Sequence, residues 1–168
     1  NQLGTLYTFQ KNYEMAIKMF QGVVQSNQKF PSGYLNLGMI YEILGRHPEA
    51  IEQYNNILTL NPDHQKALLN LGWVLMDENR FMEAIPPLKR ALSLNPENTD
   101  ARYSLGLVYG KLKRYQESME QYQLVLQMDP NHSGAYEKLA LIQKELEKDT
   151  ASVKYEKLPK GIDIILIP

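Results

Sequence analysis

Apolar residues recur along this chain at spacings of three and four, which is the period of one face of an α-helix. From about residue 32 to residue 44 the stripe consists of Tyr34, Leu37, Gly38 and Tyr41. Gly45 then supplies a turn, since glycine takes the left-handed conformation that ends a helix. A second stripe follows Pro48 and ends at Asn61-Pro62, with inward residues Ala50, Ile51, Tyr54, Ile57 and Leu58. The pattern predicts two antiparallel helices.

The same two-helix pattern returns along the chain with a constant period of 34. The residues that keep this interval are Leu37-Gly38, Leu71-Gly72 and Leu105-Gly106, together with Pro62, Pro96 and Pro130. A period of this length is typical of stacked helical hairpins, because a single hairpin cannot bury its apolar face alone. The sequence therefore predicts an all-α solenoid of stacked antiparallel helix hairpins.

Three glycines, Gly38, Gly72 and Gly106, lie in the middle of predicted helices, where glycine costs about 1 kcal/mol relative to alanine. We interpret this recurring cost as a requirement for close approach of the two helices, with a small residue opposite. The residues expected there are Ala50, Ala84 and Ser118, and the residues expected to fill the gaps between hairpins are Tyr41, Tyr54, Tyr109 and Tyr122. Pro86-Pro87 are expected to loosen or kink one second helix locally.

Large and small apolar residues recur at fixed positions of a 34-residue unit that ends at a proline. This pattern resembles that of the tetratricopeptide repeat (TPR) family. The resemblance covers residues 1–148: a partial repeat at 1–30, repeats at 31–64, 65–98 and 99–132, and a further first helix at 133–148. For residues 149–168 we predict a weak capping helix and an apolar tail. The resemblance implies a right-handed superhelix whose concave face is lined by the first helix of each hairpin.

Composition and charge narrow the classes of function. The chain has 168 residues, a net charge of −1 and a pI near 6.4. It therefore lacks the overall positive charge that is typical of nucleic-acid-binding proteins. It contains no cysteine, which excludes disulfides and thiolate ligands. No stretch approaches the roughly 20 apolar residues that span a bilayer. The chain begins at Asn1 within a repeat, so we expect a piece of a longer protein or a processed product.

Motifs for catalysis or for a cofactor are absent from the sequence. It has no phosphate-binding glycine loop, no G-x-G-x-x-G for dinucleotides and no H-E-x-x-H for zinc. His47, His64 and His132 are expected to cap turns, because no cluster of metal-ligating residues surrounds them. We therefore predict no catalytic residue, no cofactor, no metal and no nucleic-acid partner.

The resemblance places the residues that flank each Leu-Gly pair on the concave face. They are Leu35, Asn36, Met39, Leu69, Asn70, Trp73, Met76, Tyr103 and Leu107. Methionine and aromatic side chains suit adaptable binding surfaces, and the two asparagines offer the donors and acceptors that an extended peptide backbone needs. Alternatively, the asparagines contact local backbone or water, and several of the apolar side chains pack hairpin on hairpin.

We predict a non-catalytic protein-interaction scaffold that binds an apolar peptide or an amphipathic helix on its concave face. Some TPR proteins bind the C-terminal carboxylate of chaperones with a clamp of basic side chains, and such a clamp is not expected here. The residues near the corresponding positions are Leu35, Met39, Leu69, Trp73, Asp100 and Ser104. One alternative is self-association through the apolar tail, Ile162 to Ile167. Another is a substrate-recruiting accessory domain of a larger enzyme. The tail could also pack on the solenoid itself, continue into another domain or bind a different molecule.

Overall fold

The computed structural model describes the backbone of residues 2–156 and the side chains of residues 2–148. Over this part of the chain it contains nine helices and no strand. The helices are α1 (Gln2–Phe9), α2 (Tyr13–Ser26), α3 (Pro31–Ile43), α4 (His47–Leu60), α5 (Gln65–Asp77), α6 (Phe81–Leu94), α7 (Thr99–Lys111), α8 (Tyr115–Met128) and α9 (Ser133–Glu156). The predicted apolar tail, Ile162 to Ile167, lies outside the described residues.

Successive helices pack against one another along the whole array. The hairpins are α1 with α2, α3 with α4, α5 with α6, and α7 with α8, and each second helix also packs on the first helix of the next hairpin. The core lies between these helices. Its largest buried side chains include Phe20, Tyr54, Leu88 and Tyr122, which occupy the same place in successive repeats. The predicted all-α solenoid of stacked hairpins is confirmed.

The turn inside every hairpin has the same backbone conformation. Lys11, Gly45, Asn79 and Lys113 occupy equivalent places in the four hairpins and have φ values of 58°, 67°, 57° and 57°. The sequence identified this turn through Gly45, but the other three hairpins form it without glycine. For a residue with a side chain, this left-handed conformation costs about 1–2 kcal/mol. Asparagine adopts this conformation more readily than other residues, so the stack imposes the turn against the local preference only at Lys11 and Lys113.

Two of the three histidines cap helices as predicted. Nδ1 of His64 and Nδ1 of His132 each accept a hydrogen bond from the backbone N–H three residues later, at 3.2 Å and 3.1 Å. Asn98 caps α7 in the same way at 2.9 Å. His47 differs from the prediction, because it begins α4 and its Nδ1 lies 2.7 Å from Oε1 of Glu78 in the next repeat. That contact links two hairpins.

The close approach predicted at the mid-helix glycines is confirmed, but a large side chain lies opposite each glycine. A Cβ atom added to Gly38, Gly72 or Gly106 would lie 2.5, 2.6 or 2.7 Å from Tyr54, Leu88 or Tyr122, respectively. The rings of the two tyrosines therefore pack inside their hairpins, and the Tyr54 hydroxyl also accepts a hydrogen bond from Asn70 of the next hairpin. Of the predicted small partners, Ser118 does reach its glycine, since its hydroxyl donates to the carbonyl oxygen of Gly106 at 2.7 Å.

Two helices, α6 and α9, are continuous over more residues than proline content or the repeat pattern alone would suggest. α6 remains one helix although it contains Pro86 and Pro87. Because proline has no N–H, the carbonyls four residues before each proline receive no intrahelical hydrogen bond. α9 runs as one helix from Ser133 to Glu156, where the sequence pattern predicted a helix to residue 148 and a separate capping helix after it.

Candidate binding groove

The groove is the surface formed by the first helices of the hairpins, α1, α3, α5 and α7, and by α9. α5 contacts α7 directly, although α6 lies between them along the chain. Such contact between alternate helices is expected on the inner side of a curved array. Trp73 strengthens it, because its indole Nε1 donates a hydrogen bond to the hydroxyl of Ser104 on α7 at 3.0 Å. This bond fixes the orientation of the indole ring in the groove.

An apolar stripe runs along the groove at one repeat position. It consists of Met39, Trp73, Leu107 and Leu141, which lie on α3, α5, α7 and α9, each one repeat after the last. Met39 is 37%, Trp73 38% and Leu141 49% exposed. Leu107 is half-buried against the core around Tyr122. The stripe therefore presents large apolar side chains to solvent from rigid helices.

Other predicted groove residues contribute both to the core and to the surface. Leu35, Leu69 and Met76 are half-buried and pack against the core. Tyr103 is also half-buried, and its ring centroid lies 5.5 Å from that of Tyr122. For these four residues, the buried part of each side chain belongs to the core of the stack. The exposed part of each side chain is accessible to a ligand.

The two asparagines have different surroundings. Asn36 is half-buried and lines a cleft of the groove. Asn70 is only 6% exposed, and its Nδ2 donates a hydrogen bond to the Tyr54 hydroxyl at 3.2 Å. The Tyr54 hydroxyl in turn donates to the carboxylate of Glu42. Asn70 is thus part of an internal network, whereas the sequence predicted an amide open to a peptide backbone.

Burial controls the ionisation of this network. It raises the pKa of Glu42, and the hydrogen bond from Tyr54 opposes that shift only in part, while the nearby charge of Asp77 adds to it. Burial also raises the pKa of Tyr54, and the Glu42 carboxylate raises it further. The tyrosine therefore stays protonated and remains the donor to Glu42. The arrangement stabilises side-chain positions beneath the groove.

Two clefts open at the ends of the stripe. The N-terminal cleft, of about 460 Å³, lies between α1 and α3, and its lining includes Thr5, Phe9, Phe20, Asn36, Met39 and Ile43. The C-terminal cleft, of about 260 Å³, lies between α7, α8 and α9, and its lining includes Leu107, Lys111, Tyr115, Lys138, Leu141 and Glu145. Both clefts combine apolar walls with a few polar groups, which is typical of binding sites.

Some cleft residues were not among those predicted. Leu141 could have been found by counting one more repeat from Leu107. Lys111 and Lys138 are far apart in the sequence and line the same cleft because α9 packs on α8. No local sequence signal indicates that pair.

Two further properties concern the described residues alone. Within them, no group of three or more histidine, aspartate or glutamate side chains could hold a metal ion. In the same part of the chain, no helix is long and apolar enough to cross a membrane.

Sequence profiles identify the family of the repeats. Three profiles described as tetratricopeptide repeat match residues 1–30, 31–64 and 69–133. The chain belongs to the tetratricopeptide repeat family. The resemblance noted from the repeat period is thereby confirmed. No curated protein matches this TPR chain.

Solved structures share the TPR fold of this chain. A crystal structure of MamA is 26% identical, covers 90% of this chain and 89% of its own, and has a TM-score of 0.83. YrrB, described as a TPR protein with an unusual peptide-binding site, is 22% identical. The match covers 87% of this chain and 75% of YrrB, with a TM-score of 0.79. The first TPR of Spaghetti (RPAP3), bound to the HSP90 peptide SRMEEVD, is 24% identical. The match covers 70% of this chain and 93% of the Spaghetti chain, with a TM-score of 0.67.

Proposed function

We propose that this TPR chain is a non-catalytic protein-interaction module that binds an apolar peptide, or the apolar face of an amphipathic helix, in its groove. The stripe of Met39, Trp73, Leu107 and Leu141 is the observation that carries the proposal. In α3, α5 and α7 the Leu-Gly pairs are buried in the stack, whereas the stripe residues remain partly exposed. Large apolar side chains held open to solvent on a rigid surface indicate a partner.

Trp73 is the expected centre of the contact. Tryptophan is enriched among the residues that dominate binding energy, particularly where the ring is anchored and can be desolvated by a partner. Here the hydrogen bond to Ser104 anchors the ring while 38% of the residue stays exposed. Two TPR structures with the same fold are described with peptides or a peptide-binding site, which supports a peptide ligand. The lining of the groove favours apolar anchors over a purely charged ligand.

A displayed library of random peptides, selected on the immobilised full chain, tests the proposal. We expect the enriched peptides to carry apolar anchors at regular spacing. Met39→Glu is then expected to weaken a synthetic enriched peptide at least tenfold, about 1.4 kcal/mol, because it places a charge in the apolar stripe. The dissociation constant is measured by fluorescence anisotropy of the labelled peptide.

Leu124→Glu is the matched control. Leu124 is 37% exposed, like Met39, but it lies on α8, a second helix. The control should bind the peptide with unchanged affinity. Equal losses in both variants, or no loss in Met39→Glu, would contradict binding in the groove, and a selection that enriches no peptide would contradict the peptide-binding function.

A further inference from the structure

Two opposite charges flank the apolar stripe at equivalent positions of consecutive repeats. Asp77 is the last residue of α5 and Lys111 is the last residue of α7. Each lies one helical turn after the stripe residue of its own helix, Trp73 or Leu107, and so shares its face. Both side chains are exposed. Within the described residues, neither side chain takes part in a hydrogen bond or an ion pair. The groove therefore offers two charges that this part of the chain leaves unpaired.

The surroundings of Asp77 are negative. A carboxylate in the last turn of a helix is disfavoured by the helix dipole. Burial raises the pKa of Glu42 on α3, and the charge of Asp77 raises it further, so these two carboxylates lie close together. Tyr54 donates a hydrogen bond to Glu42, and His47 contacts Glu78. Asp77 has no comparable partner among the described residues, so its position favours a cationic group supplied by a ligand.

Trp73 adds an aromatic surface beside this carboxylate. Its indole N–H donates to the Ser104 hydroxyl at 3.0 Å, and 38% of the residue is exposed. The face of an indole ring attracts the cationic head of lysine or arginine, and the aliphatic stem of such a side chain packs on apolar surface. Trp73 and Asp77 together therefore suit one basic side chain of a bound peptide.

The surroundings of Lys111 have the opposite charge. Lys111 and Lys138 both line the C-terminal cleft. Lys138 has only a long contact of 3.8 Å with the exposed Glu137. Glu145 also lines the cleft, but its carboxylate already accepts a hydrogen bond from Nζ of Lys148 at 2.8 Å. The ammonium group of Lys111 is thus available to an acidic side chain of a ligand.

The distance between the two charged positions matches short spacings in a peptide. α5 and α7 are in direct contact, and the axes of packed helices lie about 8–10 Å apart. An extended peptide advances about 10 Å in three residues, and a helix rises about 10 Å in seven. A ligand that follows the stripe from Trp73 to Leu107 therefore passes Asp77 first and Lys111 next. The change of sign gives the groove a direction.

We propose that the groove binds its peptide in one direction, with a lysine or arginine of the peptide against Trp73 and Asp77 and an acidic side chain against Lys111. This inference deepens the proposed function and rests on it. The apolar stripe supplies the contact area, whereas the two charges select the order of charges in the ligand. The reverse order is rejected because like charges would then face each other.

A selection of displayed random peptides on the immobilised full chain tests the inference. It is run in parallel on the double variant Asp77→Lys, Lys111→Asp, which keeps the net charge and alters two exposed side chains. A peptide enriched on the wild-type chain is then synthesised with its basic and acidic residues in the selected order and in exchanged order. We expect the exchange to weaken binding to the wild-type chain at least tenfold, measured by fluorescence anisotropy. The double variant should prefer the exchanged peptide by a similar factor.

The matched control is the double variant Lys66→Asp, Asp100→Lys. It also exchanges two exposed, opposite charges between α5 and α7, again without changing the net charge. These residues lie seven positions before Trp73 and Leu107, about 10 Å along each helix, whereas Asp77 and Lys111 lie four positions after them, about 6 Å. The control should keep the preference of the wild-type chain.

The outcomes separate this inference from the proposed function. Enriched peptides without opposite charges, or an unchanged preference in the Asp77→Lys, Lys111→Asp variant, would overturn the inference and leave peptide binding intact. A reversed preference in the control as well would also overturn it, because the charges would then act without pairing at Asp77 and Lys111. A selection that enriches no peptide would overturn both.

Discussion

The close packing at Gly38 predicts that alanine is destabilising at this position. Alanine is intrinsically better than glycine inside a helix by about 1 kcal/mol. A Cβ atom at residue 38, however, would lie 2.5 Å from Cε1 and 2.7 Å from Cζ of the Tyr54 ring. The ring is fully buried, and its hydroxyl is held by Glu42 and Asn70. It cannot move aside without disturbing that network.

The magnitude follows from two opposing contributions. Overpacking a well-packed core costs typically about 1–3 kcal/mol, and the gain in helix propensity offsets about 1 kcal/mol of it. Gly22→Ala measures that gain alone, because Gly22 lies within α2 and nothing comes within 4 Å of its added Cβ. We expect Gly22→Ala to stabilise the chain by up to about 1 kcal/mol and Gly38→Ala to be about 1–3 kcal/mol less stable than Gly22→Ala.

Urea unfolding followed by circular dichroism provides the assay. The two variants are compared by their midpoints, provided that the slope of the transition is unchanged. Each substitution adds one methyl group to a glycine in a helix, so their difference isolates the contact with Tyr54. If Gly38→Ala proves as stable as Gly22→Ala, the ring yields without cost and the close-packing argument is refuted.

Three further predictions concern ionisation, turns and the groove. Burial raises the pKa of Glu42 in the folded state, so the buried charge of Glu42 destabilises the fold. This effect is absent below the unfolded-state pKa and grows as pH rises through the folded-state pKa. Glu42→Gln should therefore raise the urea midpoint at neutral pH, and a gain that persists in acid would contradict this cause. Lys113→Gly should stabilise the chain by up to about 1 kcal/mol because φ is 57° there, whereas Gly45→Ala should destabilise it, and thermal melts of both check the signs. Trp73 is the only tryptophan, so a peptide bound in the groove should shift its emission maximum, and saturating peptide without any shift would place the binding elsewhere.

The candidate groove was predictable only in part. The resemblance to the TPR family placed Met39, Trp73 and Leu107 in the predicted groove, and the repeat period puts them at equivalent positions, where similar surroundings are expected. Asn70 shows the limit of that reasoning: it shares a repeat position with Asn36, yet it is buried and bonded to Tyr54. The next repeat has Leu88 at the place of Tyr54, so the hydroxyl that engages the amide exists in only some of the repeats. Whether an asparagine is open to a ligand depends on such neighbours.

By itself, the sequence determined the helices, their pairing into hairpins and the stacking of the hairpins. These features follow from periodic apolar positions, which act locally and recur at the same places in every repeat. Only the tertiary structure decided which side chain fills the space above Gly38, Gly72 and Gly106, and it placed Lys111 and Lys138 at one cleft. It also imposed the left-handed turn on Lys11 and Lys113. These arrangements are stabilised by packing between residues that are far apart in the sequence, and no local sequence pattern predicts that packing.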